Sequence, residues 1–189
     1  MDSATMVVDG GANVDCQPSH LADFALLGSV YMETVLGVKS PRVALLSNGE
    51  EEGKGDDLVK RARPLIQALP VNFIGNVEGN TLFENYADVA VCDGFAGNVC
   101  LKTAEGMGTL CLSIMEQYPE AAEAAAEVRR RVDWAEYGGA PLLGINGVSI
   151  IAHGRSNARA TETALLVAAR TARSGYVSAV KSVLEGRVA

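Results

Sequence analysis

The sequence predicts an α/β protein whose mainly parallel sheet is covered by helices on both faces. Two observations lead there. Short, β-branched apolar segments alternate with stretches of helical periodicity, and five glycine-rich stretches follow the apolar segments. Alternation of this kind builds βαβ units. The predicted strands are Thr5–Val8, Arg42–Leu46, Val71–Ile74, Val89–Cys92 and Val148–Ala152.

The helical stretches follow from the spacing of apolar residues. Pro18–Leu36 carries Leu21, Phe24, Ala25, Leu27, Val30 and Tyr31, with Gly37 as its C-terminal stop. Asp56–Leu69 is a shorter amphipathic stretch. Gly97–Tyr118 is apolar on most faces, which predicts a buried helix. Pro119–Arg131 places acids early and arginines late, the order the helix dipole favours, and reads as a solvated surface helix. Ser156–Glu185, rich in alanine and valine, holds one long helix or two abutting ones with Gly175 as the break.

A chain of 189 residues fits one domain, or one and a fraction, with a substantial core. Hydrophobic residues at 48% and charged residues at 21% describe a globular protein. There is no apolar run of bilayer-spanning length and no charged-then-apolar leader at Met1, so a cytoplasmic location is expected, with peripheral membrane contact left open. The four cysteines, Cys16, Cys92, Cys100 and Cys111, show no CxxC spacing, and the two histidines do not pair with them as metal ligands would. Reduced thiols and no metal are the expectation. The net charge of −7 argues against a nucleic-acid surface. An anionic substrate would have to be held by local groups against the global field.

In open α/β sheets, ligands bind beyond the carboxyl ends of the strands. Those positions carry Asp9-Gly10-Gly11-Ala12-Asn13-Val14-Asp15-Cys16, Asn48-Gly49-Glu50-Glu51-Glu52-Gly53-Lys54-Gly55, Gly75-Asn76-Val77-Glu78-Gly79, Asp93-Gly94-Phe95-Ala96-Gly97-Asn98 and His153-Gly154-Arg155-Ser156-Asn157. Tight turns alone call for glycine. Five such loops, each with Asn, Asp, Glu, Lys or His beside the glycine, point to a binding cleft. Gly97-Asn98 and Arg155-Ser156-Asn157 also open helices, where free amides make an anion site. None of the loops matches GxGxxG or GxxxxGK[ST], so nucleotide binding is weakly supported.

The strings DGGANVDC, NGEEEGKG, NFIGNVEG, VCDGFAGNVCLKTAEG, EYGGAPLLG and IIAHGRSNA, in this order, closely resemble the phosphate acyltransferases of bacterial phospholipid synthesis, the PlsX family. The resemblance covers nearly the whole chain. It implies a three-layer α/β/α sandwich related to isopropylmalate dehydrogenase and phosphotransacetylase. It also implies transfer of an acyl group from acyl carrier protein to inorganic phosphate, giving an acyl phosphate that a membrane acyltransferase passes to glycerol 3-phosphate. A homodimer is implied, and no cofactor. The family carries a substantial N-terminal segment with no counterpart here, so the chain is expected to be the larger, C-terminal part: one α/β domain over 1–189. Its helical excursion, at about 105–137, is shorter than usual; in the family that region is linked with dimer contacts and membrane association. Other readings are a phosphotransacetylase-like enzyme acting on acyl-CoA and a non-catalytic chain that binds lipid-synthesis partners.

Phosphate is its own nucleophile toward a thioester, so the site must hold it in line and stabilise the oxyanion. The candidates for catalysis are Lys54, Asn98, Lys102 and His153. The candidates for phosphate or substrate binding are Asn13, Asp15, Asp93, Gly94, Gly97 and Asn157, with the amides of Gly94–Asn98 as donors. Asp15 is also a natural N-cap for the helix after it. A covalent route through Cys92 or Cys16 competes with direct attack. Arg129-Arg130-Arg131 and Lys60-Arg61-Arg63 are basic clusters available to the acidic carrier protein.

Overall fold

The computed structural model describes residues 5–132, 138–152, 154 and 156–186. It divides into two compact units, Met1–Cys100 with Ser178–Ala189, and Leu101–Val177.

The first unit is built on a four-stranded parallel sheet of β1 (Met6–Val8), β2 (Arg42–Leu46), β3 (Asn72–Val77) and β4 (Val89–Val91), in the order β1-β4-β2-β3. The apolar alternation decides the layers. Val43, Leu45, Val89 and Val91 are fully buried. They share a face with Gly28 of helix α1 (Pro18–Thr34), where an added Cβ would lie 2.7 Å from Val89 Cγ1. Helix α2 (Asp57–Gln67) packs beside α1 and turns Val59, Ala62 and Ile66 inward. On the opposite face, Ala44 and Ala90 cluster with Val77, Leu82 and Ala87, and Cys100 of helix α3 (Gly94–Met115) packs against them. The result is the three-layer α/β/α arrangement. Arg42 closes the lower end of β2: its guanidinium and backbone N–H all bond the Asp88 carboxylate at 2.7–3.0 Å. This pairing holds Asp88 below its ordinary pKa.

Two differences from the sequence expectation lie in α1 and β3. Pro18 occupies the first turn of α1, where its missing N–H costs nothing, and this fixes the cap at Gln17. Gln17 and His20 form a reciprocal capping box, with Gln17 N–H donating to His20 Nδ1 at 3.2 Å. Asp15 is therefore not the N-cap; it lies upstream and exposed. The second difference is in β3, which runs on through Gly75 and Asn76, residues expected in a loop. Its register with β2 shifts at Val43/Ala44, and Gly75 accommodates the irregularity at φ +106°.

In the second unit, β5 (Ala140–Pro141) and β6 (Ile150–Ile151) pair antiparallel. The fifth predicted strand is thus outside the four-stranded sheet among the described residues. Helix α4 (Ala122–Val132) is solvated as expected, with Ala125 its one buried residue. Helix α5 (Ala158–Arg173) lies in this unit; α6 (Tyr176–Glu185) is separate, begins after the break at Gly175 with φ +77°, and belongs to the first unit from Ser178 on. The expectation of burial fails for α3. Only Gly94 and Gly97 are buried along it, while Phe95 is 64% exposed, and Met107, Leu110 and Ile114 are also exposed. Apolar composition predicts that a face is to be covered; Val132 of α4 meets Gly108, while Met107, Leu110 and Ile114 stay exposed.

The contact at Gly28 gives a direct test of the layer packing. Gly28→Val is expected to overpack the α1–β4 contact and lower stability by about 2 kcal/mol, read as a lower urea midpoint at unchanged m-value.

Candidate functional site

The site begins with Asp9, the first residue after β1, which is 8% exposed. Its carboxylate accepts four hydrogen bonds: from the backbone N–H groups of Gly11 and Ala12 at 2.8 Å, from Asn13 N–H at 2.7 Å, and from Asn13 Nδ2 at 2.8 Å. The loop is folded around this one side chain. Burial pushes the Asp9 pKa up, but the combined bonds from Ala12, Asn13 and Gly11 outweigh it and leave it below the ordinary value.

The loop then docks on the start of α3. Gly94 N–H donates to the Asn13 carbonyl at 2.8 Å, and an added Cβ at Gly94 would fall 2.8 Å from the same oxygen. At Gly97 an added Cβ would lie 1.9 Å from the Asp9 carbonyl oxygen. Neither position has room for a side chain. Gly11 in turn lies against the Asn98 side chain, so the Asp9–Asn13 loop meets Gly94, Gly97 and Asn98 at the start of α3.

The expected amide donors are partly engaged. Gly94 N–H serves Asn13, Ala96 N–H donates to Asp93 Oδ1 at 2.8 Å, and Gly97 N–H donates to the Asp93 carbonyl at 3.0 Å. Asn98 and Asn13 are both exposed at this end, with Gly11 against the Asn98 side chain.

The second loop, after β2, is closed by Asn48, whose side-chain oxygen accepts from Gly55 N–H at 2.9 Å. Asn76, 2% exposed, holds it from below by donating to the carbonyls of Gly49 at 3.1 Å and Glu51 at 3.0 Å. Arg63 donates to Asn76 Oδ1 at 2.7 Å and stacks 5.6 Å over the Phe73 ring. Lys54 is exposed on this loop, its stem against Gly49. Between this loop and the start of α3 lies a cleft of about 490 Å³, lined by residues that include Ser47, Asn48, Asp56 and Asp93.

Other candidates fall elsewhere. Lys102 is in the second unit and pairs with Glu105 at 2.8 Å. Asn157 caps α5, accepting from Ala160 N–H at 2.9 Å. His153 lies outside the described residues. Both basic clusters have acidic or internal partners: Arg61 pairs with Asp57, Arg63 serves Asn76, and Arg129, Arg130 and Arg131 pair with Glu116 and Glu127. Among the described residues no group of three His, Cys, Asp or Glu could hold a metal.

The thiols are poorly placed for covalent work. Burial pushes Cys92 up to about 12. Burial, with the charges of Asp93, Asp9 and Asp15, also raises Cys16, despite the bond from Gly94 N–H. Neither is a thiolate at neutral pH.

Sequence reasoning missed Asp9, Asn76 and the Gln17–His20 cap. Asp9 left a trace: an Asp directly before two glycines and an Asn, at a strand end, is an Asx-turn pattern. Asn76 left none, because its role depends on the irregular β2–β3 register.

The profile of the Fatty acid synthesis protein family matches residues 1–179. The chain belongs to that family. It is 49% identical to the phosphate acyltransferase of Desulforamulus reducens, over 95% of this chain and 57% of the relative. It is 50% identical to that of Acidobacterium capsulatum, over 90% and 54% respectively. With that of Heliobacterium modesticaldum the identity is 44%, over 100% and 59%. The chain thus spans little more than half the length of these relatives.

The lowered pKa of Asp9 sets a pH test. A depressed carboxylate stabilises the fold above its unfolded value, near 3.9, and that contribution is lost as pH falls through the folded value. The stability gap between wild type and Asp9→Asn is therefore expected to be full at pH 6 and to shrink steadily below about pH 4, measured by urea unfolding at each pH.

Proposed function

We propose that this chain carries a large part of a phosphate acyltransferase site, in which inorganic phosphate attacks the thioester of an acyl-[acyl carrier protein]. A phosphate oxygen bonds to the acyl carbon, the carbon–sulfur bond breaks, and the carrier leaves as its thiol. The observation that carries this reading is the interlock of the Asp9–Asn13 loop with the start of α3, which brings Asn13 and Asn98 to one strand end. The names of the relatives support it.

In this reading Asn98 and Asn13 orient phosphate, and Lys54 supplies the cation from the neighbouring loop. The remaining amide of Phe95 and the dipole of α3 assist as charge develops on the carbonyl oxygen. Direct attack is favoured over a cysteine intermediate because both nearby thiols are held protonated. No helix among the described residues is long and apolar enough to cross a membrane. The working location is the cytoplasm, with contact at the inner membrane face where a glycerol-3-phosphate acyltransferase would take the product.

We also propose that a second copy covers the apolar stripe of Met107, Leu110, Ile114 and Tyr118 on and just beyond α3. Sedimentation that finds only monomer would remove the dimer from this reading.

Incubation with palmitoyl-[acyl carrier protein] and phosphate tests the reaction. Acyl phosphate is expected, and Asn98→Ala and Lys54→Ala should each lower kcat/KM by about 10- to 100-fold. Turnover of palmitoyl-CoA in preference to the carrier protein would redirect the assignment, and no product from folded protein would sink it for this chain.

A further inference from the structure

Strand β3 breaks the two-residue alternation of side chains just before Asn76. In a regular strand Phe73 and Asn76 would point to opposite faces of the sheet. Here the register with β2 passes from the pair Val43 and Phe73 to the pair Ala44 and Gly75, which leaves Ile74 without a partner. Gly75 takes the φ of +106° that the irregularity needs. Phe73 and Asn76 therefore meet the same side chain, Arg63 of α2, while Ile74 and Val77 pack with Ala44 on the other face. An irregularity of one residue is how a sheet re-aims a side chain. What is aimed here is the 2% exposed Asn76 amide, and it meets the Gly49–Gly55 loop.

Arg63 decides which way that amide acts. A guanidinium only donates, so the atom that Arg63 Nη2 meets at 2.7 Å has to be Asn76 Oδ1. Asn76 Nδ2 then has two hydrogens for two carbonyls, those of Gly49 at 3.1 Å and Glu51 at 3.0 Å. Arg63 is itself placed against Phe73, with Cζ 5.6 Å from the ring centroid. The arrangement has a cost, since Arg63 Nε is buried with no hydrogen-bond partner among the described residues. Closing the loop does not require it, because Asn48 already does so at Gly55.

Both carbonyls that Asn76 holds lead to Lys54. The Glu51 carbonyl also accepts from Lys54 N–H at 3.0 Å. Gly49 is buried, and Lys54 lays its stem across it: a Cβ on Gly49 would fall 2.6 Å from Lys54 Cγ and 3.0 Å from Cδ. One amide thus fixes the backbone of Lys54 and the surface along which its side chain runs. Glu50, Glu51 and Glu52 share the loop, so a free ammonium would have three carboxylates to turn to. We propose that Asn76 is a positioning residue for Lys54, with Arg63 setting the direction in which Asn76 acts. Both work through the loop. The inference rests on the acyl-transfer reading, in which Lys54 supplies the cation for phosphate, and adds what aims that cation. A stem already laid down has less rotamer freedom to lose when phosphate binds.

The test measures phosphate binding to the 189-residue chain by NMR titration, with amide exchange followed in the same samples. Lys54→Ala is expected to weaken phosphate binding about ten-fold, the loss of one charge-assisted contact. Asn76→Asp keeps the size of the side chain and its bond to Arg63, and replaces the two donated hydrogens by an acceptor. It should weaken phosphate as much as Lys54→Ala does. The double variant should be no weaker than either single one, because each removes the same aimed cation. Protection at the Lys54 and Gly55 amides should fall in Asn76→Asp while Val89–Val91 stays protected. Arg63→Met leaves Asn76 in place but free to turn, and should weaken phosphate about three-fold with a partial loss of protection at Lys54. Phosphate bound as tightly by Asn76→Asp as by wild type, losses that multiply in the double variant, or unchanged Lys54 protection in Asn76→Asp would each overturn the inference. Where Asn76→Asp does not fold, Arg63→Met decides, and wild-type affinity with wild-type protection there overturns it. The underlying reading fails differently. No phosphate binding by the wild type, or wild-type binding by Lys54→Ala, removes Lys54 from that reading and this inference with it. A loss in Lys54→Ala without one in Asn76→Asp leaves the reading standing and sinks the inference alone.

Discussion

The candidate site depends on a single buried carboxylate. Asp9 leaves the end of β1 and turns back on its own loop, where three backbone N–H groups and the Asn13 amide converge on its oxygens. Taking a carboxylate out of water is costly, and only a full set of donors offsets it. Because those donors belong to residues 11–13, satisfying the charge and folding the loop are one event. The folded loop then presents the Asn13 carbonyl to Gly94 N–H and the Asp9 carbonyl to Gly97. Backbone meets backbone there at distances that exclude any side chain. The position of Asn98 relative to Asn13 is thereby set by the main chain, the most rigid support available.

The caps also order the helix starts around the site. Asp93 and Asp56 each accept one backbone N–H at the start of the helix they precede. Lys54, exposed beside the cleft on a loop pinned by Asn48 and Asn76, is the nearest described cation on the second loop.

Much of this was legible in the sequence, for identifiable reasons. The four parallel strands announced themselves because β-branched runs buried on both faces have few other readings. Gly94, Gly97 and Asn98 were found because glycines at a strand end opening a helix have few uses. Three features were not legible. The helix cap moved from Asp15 to Gln17 because Pro18 dictates where the first turn starts, and an Asp slightly upstream looks equally suitable in sequence. Asn76 read as a loop residue because a strand with an irregular register looks like a strand end. The apolar face of α3 read as core, since sequence shows that a face wants covering without saying whether the cover comes from the same chain. Lys102 and Asn157 sat in plausible motifs, but in the second unit, where a salt bridge and a helix cap respectively engage them.

The central claim is that the Asp9 carboxylate, not the loop's own conformational preference, holds the first loop against α3. Amide hydrogen exchange measures this at the atoms concerned. Gly11, Ala12 and Asn13 are exposed residues in a glycine-rich loop, and without Asp9 their amides would exchange at the rate of open chain. The account predicts protection at these three amides together with Gly94, lost at all four in Asp9→Asn while Val89–Val91 stays protected. Fast exchange at Gly11–Asn13 in the wild type, or protection that survives in Asp9→Asn, would contradict it.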